Sequence, residues 1–168
     1  MSYQEKKTIV SILTGILVLA AYCIYAFGKY NAGAVASDDM KFWAVTMLVF
    51  IGIGIVASII IQIIFHILLS ITIAVKEEVQ NGKCDDKEIE KTIGLEMVED
   101  EMDKLIGLKS MRIGFAIAGI GFIAALVSLV LDYSPTVMLN ILFVSFSAGS
   151  LIEGFTQLYF YRRGVANG

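Results

Sequence analysis

Hydrophobic positions fall into four long blocks separated by short polar ones. Thr8–Phe27 is twenty residues without a charge, preceded by Glu5, Lys6 and Lys7. Phe42–Val75 follows with thirty-four uncharged residues, the most polar being Gln62 and His66. After a hydrophilic stretch from Lys76 to Arg112 come Ile113–Leu131, nineteen residues, and then Val137–Tyr161, twenty-five, the latter interrupted by Glu153 and Gln157. None of the four alternates with a period of two, so the pattern predicts helices and not barrel strands. Runs of about 20 apolar residues are long enough to cross a bilayer. The fold class expected is therefore an all-α membrane protein: one domain over residues 1–168, with four transmembrane helices at about 8–27, 42–75, 113–131 and 137–161.

Lengths and punctuation refine this. At about 1.5 Å per residue, thirty-four residues reach roughly 51 Å against a hydrocarbon core of about 30 Å. Span two must therefore protrude, or bend near Gly52 and Gly54, and its apolar tail Ile67–Val75 is expected to continue beyond the bilayer and pack on the next segment. Ser134-Pro135 reads as an N-cap followed by proline at the first helical position, which makes the link between spans three and four a tight turn. The first span is expected to be a retained helix: its apolar run exceeds that of a signal peptide, no A-x-A site follows, and bulky Tyr22 precedes Cys23.

Charge sets the orientation. With the N-terminus inside, eleven of the thirteen Lys and Arg residues lie on the cytoplasmic side and only Lys29 and Lys41 on the other. Positive residues resist translocation, so both termini and the Lys76–Arg112 segment are expected in the cytoplasm. Composition agrees: 57% of residues are hydrophobic, 17% are charged and the mean hydropathy is +0.77, which excludes a water-soluble enzyme and a disordered chain. The net charge of −3 leaves no basic footprint for nucleic acid. Cys23 and Cys84 fall on opposite sides of the membrane, so neither an intrachain disulfide nor a cysteine-rich zinc site is expected.

Between spans two and three, Lys76–Arg112 carries seven positive and eleven negative residues. Asn81-Gly82 signals a turn, and Asp85 or Asp86 can cap a new helix. Ile89, Ile93, Met97 or Val98, Met102, Leu105 and Ile106 recur at helical steps, so an amphipathic acidic cytoplasmic helix is expected, with Asp100 and Lys104 as an i,i+4 pair. The acidic run Glu96, Glu99, Asp100, Glu101 and Asp103 reads first as a solvated face. Its sharper reading makes Glu99, Asp100, Glu101 and Asp103 a docking surface for a basic protein partner. A divalent-cation site is disfavoured because the EF-hand pattern is absent, and anionic lipid heads would repel the segment.

Glu153 carries the most chemical information. An ionisable residue inside a span is costly and is a functional hypothesis by default. Gln157 shares its face, and Ser150 and Gly154 form a small-xxx-small step beside it. On span two, Gln62 and His66 share a face. Aligning the cytoplasmic ends puts His66 level with Glu153; counting from Trp43 as an outer anchor puts His66 at the inner boundary instead, and both registers stay open. Carried protonated, Glu153 can serve as a fold-specifying contact to a neighbouring helix; alternatively it responds to protons or cations with His66 or Gln157 as partner. No HExxH, GxSxG, Cys–His pairing or phosphate-binding loop appears, so the chain is expected not to be an enzyme and to need no metal or cofactor. The glycines of Gly114–Gly121 and Gly52/Gly54 read as packing faces.

Two stretches resemble a known family. Asp100-Glu101-Met102-Asp103-Lys104-Leu105-Ile106 is similar to the D-E-R-D-x-x-I signature of small, uncharacterised prokaryotic integral membrane proteins with a domain of unknown function. Gln157 through Tyr161-Arg162-Arg163-Gly164 resembles that family's closing Q-x-x-x-Y-R-R-G tail. The similarity covers about residues 96–165, with Met102 in place of the usual Arg. It implies a four-helix membrane protein, often encoded beside a helix-turn-helix regulator, and supplies no activity.

Three functions remain in view. The leading one is a non-enzymatic protein that relays a membrane state to a cytoplasmic partner or regulator. The others are a small proton- or ion-coupled transporter using Glu153, and a structural or immunity-type interaction protein. The partners expected are the bilayer, a cytoplasmic protein and a second copy of the chain.

Overall fold

The computed structural model of the chain describes residues 3–81 and 100–164. They form four helices and, among the described residues, no strand: α1 (Tyr3–Asn31), α2 (Met40–Asn81), α3 (Glu101–Val130) and α4 (Pro135–Arg163). Each has a stretch long and apolar enough to cross a membrane. Their perimeter is apolar and uncovered, with Val130 81% exposed, Phe115 74% and Leu17 69%. A water-soluble monomer rarely leaves so continuous an apolar surface open.

Local chemistry fixes the ends. Asp39 caps α2, its Oδ1 accepting from the Phe42 backbone N–H at 3.0 Å. α1 stops at Gly33 (φ 70°), where the Ala34 N–H reaches back to the Lys29 carbonyl and the Gly33 N–H to that of Tyr30. α3 ends in the same motif: Tyr133 N–H to the Ser128 carbonyl, Asp132 N–H to that of Leu129. Here, though, the left-handed position is filled by Asp132 (φ 59°) and not by glycine. Ser134 and Pro135 occupy the N-cap and first-turn positions of α4 as expected, but the Ser134 hydroxyl makes no capping bond.

Adjacent helices run antiparallel. α1 lies between α2 and α4, and α3 packs on α4. Paired contacts run down α1 in order: Tyr3 with Phe65, Val18 with Gly54, Tyr22 with Phe50 and Phe27 with Trp43 on the α2 side, and Glu5 with Arg162, Thr8 with Gln157 and Tyr22 with Asn140 on the α4 side. The start of α1 and the end of α4 therefore lie at one end of the bundle.

The α3–α4 pair is held by a ladder of small residues. Ser110, Gly114, Ala118, Gly121, Ala125 and Ser128 are all buried on one face of α3. A Cβ on Gly114 would lie 2.7 Å from the Gly149 carbonyl oxygen, a Cβ on Gly149 2.6 Å from that of Gly114, and one on Gly121 would overlap Ser145. Only missing side chains let the backbones meet so closely. α1 meets α4 by two smaller exchanges, Ile12 against Gly154 and Leu151 against Gly15. The glycines thus divide: Gly114, Gly121, Gly149 and Gly154 sit in contacts, whereas a Cβ on Gly52 or Gly119 would meet nothing.

Of the two ways expected for span two to accommodate its length, α2 shows the one without a break: it is a single helix of forty-two residues that continues past Val75 to Asn81. It overshoots the start of α1, because Phe65 is already level with Tyr3. The single apolar stripe expected from Ile89 to Ile106 does not form one helix: Asp100 is extended (φ −78°, ψ 176°) and caps a helix that begins at Glu101, so Met102, Leu105 and Ile106 belong to the helix of span three. Residues 82–99, including Ile89, Ile93, Glu96 and Glu99, lie outside the described residues.

Candidate functional site

Three polar stripes, one per helix, face one another. On α1, Thr8, Ser11 and Thr14 recur every third residue; on α2, Ser58, Gln62 and His66 recur every fourth; on α4, Ser147, Ser150, Glu153 and Gln157 recur every third or fourth. Those spacings keep each set on one helical face. The three faces border two adjoining cavities of about 700 and about 690 Å³, which share Thr8, Ser11, Thr14, Ser58 and Gln157 as walls. Together they form one cleft among α1, α2 and α4. Its mouth lies at the end where α1 begins, where Tyr3, Lys7, Asp103, Lys104 and Tyr161 also line it, so all four helices contribute.

Hydrogen bonding separates the hydroxyls that are satisfied by their own helix from those that are not. Thr14, Ser147 and Thr156 return their protons to the carbonyls of Val10, Phe143 and Ile152 at 2.7–2.9 Å, the usual way a hydroxyl is satisfied inside an apolar helix. Thr8 Oγ1 lies 2.9 Å from the Gln4 carbonyl oxygen and 3.1 Å from Gln157 Oε1, and shares its one proton between them. Ser11, Ser58 and Ser150 line the cleft and have no hydrogen bond with any described residue. The same holds for the side chains of Gln62, His66 and Glu153. Unpaired polar groups are costly in hydrocarbon, so a cleft walled by six of them is a place for water or a polar guest.

Glu153 stands where the cleft meets the α3–α4 ladder. Its Oε2 lies 3.3 Å, and its Cβ 2.9 Å, from the point a Cβ on Gly114 would occupy. The bare backbone of Gly114 is what gives the carboxyl room. His66 does not share its depth: the contacts along α1 place Gly154, the neighbour of Glu153, opposite Ile12 but Phe65, the neighbour of His66, opposite Tyr3, a separation of about 14 Å along the bundle. The alignment that would put His66 level with Glu153 is therefore not the one adopted. His66 lines the mouth, and Gln62 and Gln157 line the same cavity, Gln157 beside Thr8.

The acidic residues at the start of α3 have structural duties. Asp100 Oδ1 accepts from the Asp103 N–H at 2.6 Å and Asp103 Oδ2 from the Asp100 N–H at 3.1 Å, a reciprocal capping box. Lys104 pairs at 3.1 Å with Glu101 and not with Asp100, because the Asp100 carboxylate is turned back on its own helix end. Glu99 lies outside the described residues. Three further features were not anticipated: the Glu5–Arg162 bridge at 3.3 Å that ties α1 to α4, the polar member Ser58, and Asn140, a third polar break in span four. Asn140 Oδ1 accepts from the Tyr22 hydroxyl at 2.7 Å. An Asn within an apolar run was the available signal.

Among the described residues no group of three or more His, Cys, Asp or Glu side chains could hold a metal ion. Compared with protein-family models, curated proteins and solved structures, the chain matches none of them.

Proposed function

We propose that the chain is a multi-pass protein of the cell membrane, with both termini and the cleft mouth in the cytoplasm, that admits protons or a small cation along the cleft to Glu153. The observation that carries this reading is the convergence of three polar stripes on one cavity system. Taken helix by helix the spans look too apolar for a translocation path; assembled, they line one wall each. His66, Lys7, Asp103 and Lys104 are the titratable or charged groups at the mouth, and Glu153 is the innermost carboxyl. The cytoplasmic placement follows from the eleven-to-two distribution of Lys and Arg. The test is a pH gradient imposed on vesicles holding the purified chain, read with an entrapped dye. Glu153→Gln is expected to abolish the flux that the parent shows. Equal flux in the two, or none in the parent, overturns the reading.

A second reading, relay to a cytoplasmic partner, draws on a different observation. Asp103 and Lys104 belong to the first turn of α3 and also line the cleft mouth, so an occupant would touch the element that leads from the acidic segment into span three. A pull-down with the full chain, compared with one in which Glu99, Asp100, Glu101 and Asp103 are neutralised, decides it: identical partner lists remove the relay.

A further inference from the structure

The cleft does not cross the bundle, yet a second cavity begins where it stops. That cavity, about 490 Å³, lies at the opposite end between the C-terminal part of α1 and the N-terminal parts of α2 and α4. Its walls include Trp43, Thr136 and Asn140. Trp43 Nε1 and Thr136 Oγ1 are buried without a hydrogen-bond partner, in residues only 3% and 4% exposed. Those two atoms are closed off from the cavity itself; its polar walls are Ser37, Ser134, Asn140 and Ser145, whose side chains can hold water there.

A single aromatic layer divides the two spaces. Tyr22, fully buried, has its ring 4.3 Å from that of Phe143 and edge-on to Phe50 at 5.6 Å. Phe143 is a wall of the inner cleft. The hydroxyl of the same Tyr22 donates to Asn140, a wall of the outer cavity. One buried side chain thus touches a wall residue of each space, Phe143 of the inner one and Asn140 of the outer one. Ala26, Trp43 and Met47 pack with Tyr22 in the same cluster.

We infer that the outer cavity is the external mouth of the pathway whose inner half is the cleft, and that Tyr22, latched to Asn140, is its closed gate. This rests on the reading of the cleft as a path. The structure is the shut state: water or a proton reaching Glu153 from inside goes no further until the Tyr22 ring swings out. A tyrosine suits the task because its ring blocks the passage, while its hydroxyl offers a latch of one neutral hydrogen bond that is broken at modest cost.

Thiol labelling tests the gate without measuring flux. In a background with Cys23 replaced by Ala and Cys84 by Ser, Ser150→Cys reports on the cleft and Ile141→Cys on the outer cavity. A charged, membrane-impermeant thiol reagent is applied to sealed vesicles of each orientation. Ser150→Cys is expected to react only from the cytoplasmic face, and Ile141→Cys only from the outer face. Adding Tyr22→Phe, which keeps the ring and removes the latch, is expected to speed labelling of Ile141→Cys from the cytoplasmic face by up to about tenfold, the factor one neutral hydrogen bond commands. Asn140→Ala should match it from the α4 side, and Tyr22→Ala should exceed both. The Phe and Asn140 variants keep the test decisive should Tyr22→Ala not fold. An Ile141→Cys that is unreactive from outside, that reacts from the cytoplasmic face with Tyr22 and Asn140 in place, or that keeps its sidedness in all three variants overturns the gate. Side-selective labelling that shifts as expected, in a protein with no proton flux, would sink the proton reading and leave the gate standing.

Discussion

The close backbone approach between α3 and α4 makes a sharp quantitative prediction. At the α3–α4 crossing, Ala at position 149 would place a methyl 2.6 Å from the Gly114 carbonyl oxygen. A C–H···O contact wants about 3.3–3.6 Å, so the helices must part by roughly 0.7–1 Å at that level. A gap of about 0.5–1 Å forfeits a quarter to a half of each dispersion contact it opens, along a ladder that extends from Ser110 to Ser128. Overpacking of this kind costs about 1–3 kcal/mol. Against it stands the gain of about 0.8–1 kcal/mol that Gly→Ala brings to any helix interior. Gly119→Ala, on α3 itself, collects that gain alone, because its Cβ would meet nothing. The difference between the two variants cancels the propensity and isolates the crossing, so Gly149→Ala should be the less stable by about 1–3 kcal/mol. Gly114→Ala meets the same oxygen-to-methyl clash from the other side. Because one separation of the helices relieves both clashes, the double variant should cost less than the sum of the two. The assay is denaturation in mixed micelles, followed by the fluorescence of Trp43, the single tryptophan, and by the mobility of the folded species. Equal stabilities of Gly149→Ala and Gly119→Ala would refute the close crossing.

Two further outcomes follow from the helix ends. Asp132 holds the left-handed position that closes α3, where a Cβ is a burden and glycine is free of it, so Asp132→Gly should raise stability by about 0.5–1 kcal/mol in the same denaturation and Asp132→Val should lower it. Asp100→Ala removes an N-cap and half of a capping box and should cost about 1 kcal/mol, read as faster amide hydrogen exchange in Glu101–Lys104, while Asp100→Asn keeps the protection.

Four helices, their order and the overlong second one were all legible because charge-free runs of this length have few other fates. The small-residue face of α3 and the exceptional standing of Glu153 were legible for a related reason: each breaks the composition around it. What escaped was axial offset. Periodicity gives the angle of a residue around its helix but not how far one helix slides along another, and that offset decided whether His66 met Glu153. It is set here by large aromatic contacts at both ends of α1, Tyr3 with Phe65 and Phe27 with Trp43, which no single helix announces. The glycines behaved similarly. Gly114 and Gly119 look alike in the chain, and only the position of α4 makes the first indispensable and the second idle. At Asp100 the sequence signals conflicted: an apolar stripe at helical steps argued for continuity, while an Asp three residues before another Asp argued for a cap. The cap prevails because two reciprocal hydrogen bonds satisfy the exposed N–H groups at the start of a thirty-residue helix.

The same close crossing also explains why Glu153 is tolerable where it sits. A carboxyl on α4 at this level faces α3, and an ordinary side chain at position 114 would drive it aside or pry the helices apart. With glycine there, the carboxyl lies over bare backbone, keeps one edge against the cleft and leaves the ladder closed. Packing and chemistry thus depend on one position. Gly114→Ala is therefore expected to do what Gly149→Ala does not: besides loosening the pair, it displaces the Glu153 carboxyl, and on the proposed reading of the cleft it should impair proton flux under conditions where Gly149→Ala, similarly destabilised, retains it. Parallel loss of flux in the two variants would mean that the crossing matters only for stability, and that Glu153 owes its place to nothing at Gly114.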